Sequence, residues 1–420
     1  MTKALSQQVS DNKNKGRVLY VGNCYYHNWY LSRELRKLGW VADTLDTDSN
    51  EEWQMYYHGQ DFKFRYGGIK NALSNLLFYF KALRRYDIFH FYGVHGLTML
   101  PQFSNRFSWL LPKNWDARLL KKLNKKIVYG LTGCLDGVSQ SSFAAWGDEP
   151  ICNMCRWRDV PSVCSDERNL AWGKIRNELA DYIILGGGNR VDYNDVPHAH
   201  EVPELGCLDP NIWSPDILIP ANYRLPFSED TIKIYHSVGH FESRTDVMER
   251  QNIKSTHIII PVVERLKAEG YKVELIFFHD VPNIKVRYYQ AQADIVVDML
   301  TYGFFGANVR EALMLGKPSV CYLRPEWLES MRAEVPDYVD ELPVISATPQ
   351  TVYEVLKDLI EHPEKRLEIG RRSREFAVKW HSAEAAARRF DKIYTELLQP
   401  GASHSSERSL SAAKEVRLES

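Results

Sequence analysis

Apolar and polar positions follow one repeating pattern along most of the chain. Short runs of β-branched and aromatic residues, typical of buried strands, precede longer stretches in which apolar residues recur every three or four positions, as in amphipathic helices. The predicted strands cover 17–21, 87–92, 126–130, 181–185, 232–236, 272–278, 295–297 and 319–323, and a further strand begins at Val41. Alternating strands and helices of this kind predict a parallel α/β protein, with a second sheet opening at residue 232.

Helical spacing of apolar residues marks the segments between these strands. The predicted helices cover 27–38, 69–85, 167–179, 254–269, 288–292, 307–315, 349–360, 364–380 and 383–398. In the segment 69–85 the apolar residues share one side of the helix, which predicts that this side is buried. These residues are Ile69, Leu73, Leu76, Leu77, Phe80 and Leu83.

The stretch 293–323 combines strand, loop, helix and strand in the clearest form. Its loop contains Gly303 and Gly306, and a Gly-Lys-Pro run ends the helix. The start of a helix presents unpaired N–H groups and about half a positive charge, and glycine leaves room for an anion there. Glu311, one turn inside the helix, can accept hydrogen bonds from hydroxyl groups. This arrangement suits a phosphate group beside sugar hydroxyls.

This stretch resembles the donor-binding segment of the GT-B glycosyltransferases, in particular the retaining family 4. That segment usually reads Glu-Gly-Phe-Gly, four more residues, Glu-Ala, and then Gly-Lys-Pro. Gly306, Glu311, Ala312 and the run 316–318 match in place, whereas Gly303 stands where the family has its first Glu. In the family the second Glu holds the ribose of the nucleotide and the first contacts the donor sugar. The resemblance therefore implies nucleotide-sugar binding through Glu311.

The resemblance also implies an overall architecture. It is an α/β protein of GT-B fold, with two Rossmann-like domains facing each other across a cleft and a C-terminal helix that crosses back to the first domain. The composition of both termini predicts disordered segments. The predicted divisions are a disordered lead at 1–15, an N-terminal acceptor domain at 16–215 with a Cys-containing insertion at about 134–165, a C-terminal donor domain at 225–380, a crossover helix at 381–398 and a disordered tail at 399–420.

The pair Lys254-Ser255 resembles a second family feature, in which a Lys-Gly pair and another basic residue bind the diphosphate. Lys254 matches the Lys, Ser255 replaces the Gly, and either Arg244 or Arg250 can supply the other cation. Paired cations stabilise the charge that develops on a departing diphosphate. The alternative is that these are solvated surface charges. The predicted donor-binding residues are Lys254, Arg250, Gly306, Ala307, Asn308 and Glu311. The catalytic residue stays unassigned, because retaining GT-B enzymes need no protein nucleophile.

Other candidates follow the strands of the first half, where α/β proteins bind ligands. Gly22 and Asn23 follow the first strand, and His95 follows the third, whereas His90 within that strand is expected to be a core residue. The resemblance implies that these loops face the cleft, with Gly303 as a further cleft residue. A plain strand-to-helix turn is the alternative for Gly22 and Asn23. The full G-x-G-x-x-G motif is absent, which argues against a tightly bound dinucleotide.

Four cysteines lie close together in the sequence. Cys152 and Cys155 have the C-x2-C spacing of a metal knuckle, with Cys164 after them and Cys134 before. Thiolates suit zinc, so a structural zinc site is one interpretation. A redox pair and reduced cysteines that pack in the interior are the alternatives. A catalytic metal is not expected, because no set of His, Asp and Glu accompanies the cysteines.

Length and composition restrict the classes of protein that remain. The chain has 420 residues, enough for two or three domains, and its net charge of -1 gives no global field to attract nucleic acid. No run approaches the ~18 apolar residues of a membrane span, and residues 1–15 do not resemble a secretory signal. Seven cysteines, an odd number in a large chain, favour a reduced, cytoplasmic protein.

The sequence therefore predicts a glycosyltransferase of the hexosyltransferase type. It would move a sugar from a UDP- or GDP-sugar to an acceptor hydroxyl with retention, in polysaccharide or glycoconjugate biosynthesis. The acceptor would be a carbohydrate, a lipid-linked or a small molecule, and the protein could contact the inner face of a membrane peripherally. No cofactor is expected to be required. The alternatives are a non-catalytic GT-B protein that binds nucleotide sugars and an enzyme similar to the sugar-nucleotide 2-epimerases.

Overall fold

The computed structural model describes most of the chain in two compact units. It describes residues 15–23, 25–93, 96–106, 109–131, 133–134, 136–145, 151–158, 160–186, 190–245 and 251–399. The described residues within Met1–Leu131, Arg176–Ile184 and Ala386–Ser420 form the first unit, and those within Thr132–Ile175 and Leu185–Ala385 form the second. The segment 134–165 thus groups with the second unit, whereas the sequence places it with the N-terminal domain. The other predicted domain limits stay a prediction.

The strands belong to two sheets. They are β1 (Arg17–Val21), β2 (Val41–Asp46), β3 (Phe62–Lys63), β4 (Ile88–Tyr92), β5 (Lys126–Gly130), β6 (Tyr182–Leu185), β7 (Ala199–Glu201), β8 (Ile232–Val238), β9 (Val273–His279), β10 (Ile295–Val297), β11 (Ser319–Cys321) and β12 (Ile345–Ser346). The seven-stranded sheet has the order β3-β2-β1-β4-β5-β6-β7, and the five-stranded sheet has the order β12-β11-β10-β8-β9.

The strand pairing is parallel, as the sequence pattern predicts. All neighbouring strands from β3 to β6 in the first sheet pair in parallel. The same holds for every pair in the second sheet. Helices cover parallel sheets on both faces, which explains why β4 is buried at all five positions, including His90.

The helices connect these strands. They are α1 (His27–Lys37), α2 (Gly68–Arg85), α3 (Pro101–Arg106), α4 (Trp115–Lys122), α5 (Gln140–Ala144), α6 (Asp166–Leu179), α7 (Phe241–Arg244), α8 (Thr256–Ala268), α9 (Asn283–Gln290), α10 (Ala307–Met314), α11 (Pro325–Glu334), α12 (Pro336–Glu341), α13 (Val352–Glu361), α14 (Pro363–His381) and α15 (Ala383–Leu398). The predicted helix 288–292 is wrong in extent, because α9 begins directly after Pro282. No helix among the described residues combines the length and apolar character needed to cross a membrane.

The predicted burial of the apolar side of α2 is wrong at four of its six positions, although Leu83 is buried as predicted. Ile69 is 77% exposed and Leu77 is 61% exposed, and Leu73 and Phe80 are also exposed. The buried side carries polar groups that find backbone partners: the Tyr79 hydroxyl donates to the carbonyl of Asp116, at 2.8 Å. The buried residues of α2 are Asn75, Tyr79, Ala82 and Leu83. Hydrogen-bonded polar side chains thus share the core contact with Ala82 and Leu83, and an apolar stripe remains on the surface.

The C-terminal helix α15 belongs to the first unit from Ala386 onwards, which confirms the predicted return of this helix. The Tyr394 hydroxyl donates to the Tyr20 hydroxyl at 3.0 Å and is hydrogen bonded to Nδ1 of His90 at 2.7 Å. His90 is completely buried, as expected for a core residue, and burial lowers its pKa to about 3. The imidazole is therefore neutral at physiological pH and acts as a structural partner of the helix.

Candidate functional site

The carboxyl edge of the second sheet carries those residues predicted to bind a donor that the structure describes, namely all except Arg250. β8 and β10 are paired in parallel, so both strands end at this edge. Asp298 directly follows β10, and Ser237 lies near the end of β8. Ligands of α/β proteins bind at the carboxyl ends of the strands.

Lys254 forms an ion pair that the sequence analysis missed. Its ammonium nitrogen lies 3.0 Å and 3.2 Å from the two carboxylate oxygens of Asp298. The Asp298 side chain is fully buried, and the Lys254 side chain is 15% exposed. A Cβ atom added at Gly306 would lie 3.7 Å from the same ammonium nitrogen. The structure therefore brings Lys254 together with the residue that precedes α10, and Asp298 fixes the position of the cation.

Hydrogen bonds to the side chains of Asn252 and Ser255 fix the backbone just before α8. The buried Asn252 accepts hydrogen bonds from the backbone N–H of Lys254 at 3.0 Å and from the Thr256 hydroxyl at 3.2 Å. The Ser255 hydroxyl accepts a bond from the backbone N–H of Leu300, at 3.0 Å. Ser255 has a φ of +63°, in the left-handed region that favours glycine. A glycine would adopt this backbone conformation without strain, whereas the serine is strained there.

Glu311 is held by two amides of α9. Its carboxylate accepts hydrogen bonds from the side-chain amides of Asn283 and Gln290, each at 2.9 Å. The Glu311 residue is only 1% exposed. The two amides fix the orientation of the carboxylate at the sheet edge.

Asn308 connects the first turn of α10 to β8. Its amide nitrogen donates to the carbonyl of Ser237 at 3.1 Å, and its amide oxygen accepts from the Ser237 hydroxyl at 3.1 Å. Gly306 precedes the helix and has no side chain with which to cap it. The backbone around Gly306, Ala307 and Asn308 therefore begins a helix at a fixed place beside the Lys254 ammonium group.

The loop residue Gly303 is constrained by a neighbour that the sequence analysis also missed. Gly303 has a φ of +92°, and an added Cβ atom would lie 3.0 Å from the Cβ atom of Arg324. The backbone N–H of Arg324 donates to the Gly303 carbonyl, at 2.9 Å. Arg324 is 7% exposed, and its burial lowers its pKa to about 10, so it remains charged at neutral pH. A glutamate at position 303 would be strained and would meet this arginine.

The remaining donor-binding and cleft candidates lie in different parts of the chain, and the structure describes only some of them. His95 and Arg250 lie outside the described residues. Arg244, the alternative second cation, ends the short helix α7 and is half-buried. Gly22 has a φ of +84°, and an added Cβ atom would lie 2.3 Å from the carbonyl oxygen of Tyr92. Close packing thus explains this glycine without a ligand, and the adjacent Asn23 is half-buried.

The four cysteines of interest line one pocket of the second unit, with a volume of about 90 Å³. Ile253 and Tyr302, which flank Lys254 and Gly303 in the sequence, line the same pocket. Among the described residues, no three His, Cys, Asp or Glu side chains are arranged at metal-binding distances. The pocket cysteines are Cys134, Cys152, Cys155 and Cys164.

Comparison with known proteins identifies the fold. No protein-family model matches the sequence, and no curated protein matches it. Solved structures with similar folds include sucrose-phosphate synthase from Thermosynechococcus elongatus, at 14% identity and a TM-score of 0.55 over 91% of this chain and 99% of that chain. A glycosyltransferase from Rickettsia africae matches at 11% identity and a TM-score of 0.52, over 92% and 100% of the two chains. HepE of Anabaena, solved with UDP, matches at 12% identity and a TM-score of 0.54, over 90% and 99%. The predicted GT-B glycosyltransferase fold is confirmed.

Proposed function

We propose that this protein is a glycosyltransferase that binds a nucleoside diphosphate sugar at the carboxyl edge of the second sheet. It transfers the sugar to an acceptor hydroxyl with retention of configuration. The observation that carries this proposal is the Lys254 ammonium group, which Asp298 holds beside Gly306 at the start of α10. A fixed cation and a helix N-terminus together form an anion-binding site. UDP is the ligand of the similar HepE structure, and it belongs to the same chemical class.

The diphosphate would lie between Lys254 and the backbone N–H groups of Gly306, Ala307 and Asn308. The ammonium group has three N–H donors and can serve Asp298 and a phosphate oxygen together. Because Asp298 cancels part of the field of Lys254, a second cation from Arg244 or Arg250 would complete the neutralisation. Donors fixed in advance stabilise the charge that develops on the departing diphosphate.

The ribose would bind to the Glu311 carboxylate in exchange for hydrogen bonds that this carboxylate makes to the amides of Asn283 and Gln290. Because Glu311 is only 1% exposed, a ribose can contact its carboxylate only if neighbouring side chains move. We therefore expect nucleotide binding to be accompanied by local rearrangement around α9 and α10.

The donor sugar would meet a different environment from that of the related family. Gly303 replaces the acidic residue that contacts the sugar there, and Arg324 fills the adjacent space. The Arg324 guanidinium already has an anionic neighbour, because its Nε atom lies 3.5 Å from a carboxylate oxygen of Glu326. The donors in the test are the UDP- and GDP-sugars that the sequence predicts.

Turnover of nucleotide sugars tests the proposed function. Purified protein is incubated with each donor and with carbohydrate, lipid-linked and small-molecule acceptors, and the anomeric configuration of the product is read by NMR. Transfer with retention supports the proposal. Binding of a nucleotide sugar without hydrolysis or transfer supports the non-catalytic alternative, and conversion of the donor sugar without an acceptor supports the epimerase-like alternative.

We further propose that the exposed side of α2 binds an anionic membrane surface, where a lipid-linked acceptor would be available. Four apolar side chains are exposed there: Ile69, Leu73, Leu77 and Phe80. The exposed cations Lys70, Lys81 and Arg84 accompany this stripe, and α2 contains no acidic residue. Apolar side chains flanked by Lys and Arg are typical of helices that lie in a membrane interface.

Vesicle binding tests this surface. The double variant Leu73→Ser/Leu77→Ser is expected to reduce binding to phosphatidylglycerol-containing vesicles at least about 10-fold, because burying each leucine contributes about 1.5–3 kcal/mol. Leu367→Ser on α14 is the matched control, since Leu367 is 76% exposed and lies on another helix. Unchanged vesicle binding in the double variant would overturn the proposal, and a changed oligomeric state would assign the stripe to a second copy of the chain.

A further inference from the structure

The pocket that the four cysteines border is larger than the gaps that close packing leaves in a protein interior. Its volume is about 90 Å³, and its lining is almost entirely apolar. Protein interiors contain few voids larger than a water molecule, and empty space in a core lowers the stability. An apolar pocket also offers water few hydrogen-bond partners. This pocket therefore suits an apolar group of a ligand.

The pocket lies beside the proposed diphosphate site. Met299 belongs to one apolar cluster with Phe143 and Tyr302, which line the pocket. A Cβ atom added at Gly306 would lie 3.8 Å from the Cε atom of Met299 and 3.7 Å from the ammonium nitrogen of Lys254. The space next to Gly306 is thus bordered both by the cation and by a flexible side chain of the pocket cluster. The sugar of a donor bound there would lie next to the pocket.

The backbone connects the pocket wall to the donor site as well. Ile253 lines the pocket directly before Lys254, and Tyr302 lines it directly before Gly303. The rings of Tyr302 and Phe143 pack edge to face, with their centroids 5.6 Å apart. The two segments that form the proposed donor site therefore also form part of the pocket.

One buried polar side chain in the pocket wall lacks a partner. Asn169 lines the pocket and is 1% exposed, and its amide oxygen accepts no hydrogen bond from the part of the chain that the structure describes. Buried acceptors are normally hydrogen bonded, because an unsatisfied one is unfavourable. A ligand with an N–H group next to its apolar part would supply the missing donor.

The lining favours an uncharged group. Burial raises the pKa of the Cys155 thiol and raises that of Cys152 to about 11, so both thiols are neutral at physiological pH. Arg158 also lines the pocket, but it is exposed and donates to the side-chain oxygen of Asn153. A charged group inside the pocket would therefore lose its hydration without gaining a buried partner of opposite charge.

We propose that this pocket receives the N-acyl group of an N-acetylhexosamine donor, an inference that rests on the proposed function and names its sugar. The methyl group lies against the apolar wall, and the amide N–H donates to the amide oxygen of Asn169. A cavity of about 150 Å³ holds benzene. The volume of about 90 Å³ therefore accommodates the few heavy atoms of an acetyl group but excludes a long acyl chain.

Nucleotide sugars that differ in one substituent test the inference. Glucose, glucosamine and N-acetylglucosamine, and the corresponding galactose series, are each linked to UDP and to GDP and titrated calorimetrically into the parent protein, with UDP and GDP as references. In one series the N-acetylated sugar is expected to bind about 10-fold more tightly than the plain hexose, since a buried methyl group and one hydrogen bond together contribute about that factor. The amino sugar is expected to bind no better than the hexose, because its ammonium group is charged.

Filling the pocket is expected to remove this preference. Val163→Phe places a larger side chain at a half-buried position of the pocket wall and should equalise the affinities for the N-acetylated sugar and the hexose. Asn169→Leu removes the acceptor with little change in volume and should reduce the preference in part. Val378→Phe is the matched control and should keep the preference of the parent, because Val378 lies on α14, is 40% exposed and does not line the pocket.

The outcomes separate the inference from the proposed function. Equal affinity of the parent for all sugars on a nucleotide that it binds would overturn the inference and leave the proposed function intact. A preference for the N-acetylated sugar that Val163→Phe does not reduce would also overturn it, because the acyl group would then lie elsewhere. No binding of UDP, GDP or any of their sugars would contradict the proposed function and the inference with it. The parent series needs no variant, so it decides the matter even if a variant fails to fold.

Discussion

Replacing Lys254 by methionine is expected to lower the free energy of unfolding by about 3–5 kcal/mol, because Asp298 would remain buried without its cation. The Asp298 carboxylate is fully buried, and both of its oxygens lie within 3.2 Å of the ammonium nitrogen. Methionine is unbranched and similar in length to the methylene stem of lysine. The main change is therefore the loss of the positive charge. Chemical denaturation of the parent and the variant measures this effect.

A second substitution separates stability from binding. In Lys254→Met/Asp298→Asn, no charge is left unpaired in the core, so most of the stability is expected to return. Nucleotide diphosphate binding is expected to remain weak, because the cation is still missing. If the double variant binds nucleotide sugars as the parent does, Lys254 has only a structural role. If Lys254→Met is as stable as the parent, the ion pair is not formed.

Substituting Glu311 by alanine is expected to weaken nucleotide-sugar binding about 10- to 150-fold, since hydrogen bonds to a charged group contribute about 1.5–3 kcal/mol. The variant also leaves the amides of Asn283 and Gln290 without their acceptor in the interior. A loss of about 1–3 kcal/mol in the free energy of unfolding is therefore expected as well. Titration calorimetry and chemical denaturation measure the two effects separately.

Two further variants show whether the loss of binding is specific to the Glu311 carboxylate. Glu311→Gln preserves the shape and one accepting oxygen, so an intermediate loss of binding is expected. Glu264→Ala removes a carboxylate that is 59% exposed on α8 and is expected to leave binding unchanged. Unaltered nucleotide affinity in a folded Glu311→Ala protein would remove Glu311 from the ribose site.

The strand-and-helix framework follows directly from the local sequence. β1, β5 and β10 have the predicted bounds, because short runs of β-branched residues end at charged or glycine positions. The strands β3 and β12 have only two residues each, which is too short to show a pattern of apolar and polar positions. The buried side of α2 could not be predicted, because it depends on backbone acceptors, such as the Asp116 carbonyl, that lie elsewhere in the chain.

Some residues of the candidate site could be named from the sequence, and their roles stay a prediction. The start of α10 could be predicted because the glycines and Glu311 lie in one continuous stretch of sequence. A glycine before a helix acts on the local backbone, which the sequence shows directly. Asp298 and Arg324 were missed, because their roles depend on contacts across the sheet edge. A signal for both existed: each is a charged residue just after a predicted strand, where parallel α/β proteins place their ligands.

Calorimetric titration with a nucleoside, its monophosphate, its diphosphate and the corresponding nucleotide sugar tests the central claim most directly, with uridine, guanosine and adenosine series in parallel. The account predicts that one series binds with one site per chain. Within that series, the parent protein should bind the diphosphate much more tightly than the nucleoside or the monophosphate. The Lys254→Met/Asp298→Asn variant should bind the diphosphate more weakly than the parent does. Equal affinity for nucleoside and diphosphate, or no binding in any series, would contradict the claim that the start of α10 and Lys254 hold a nucleotide diphosphate.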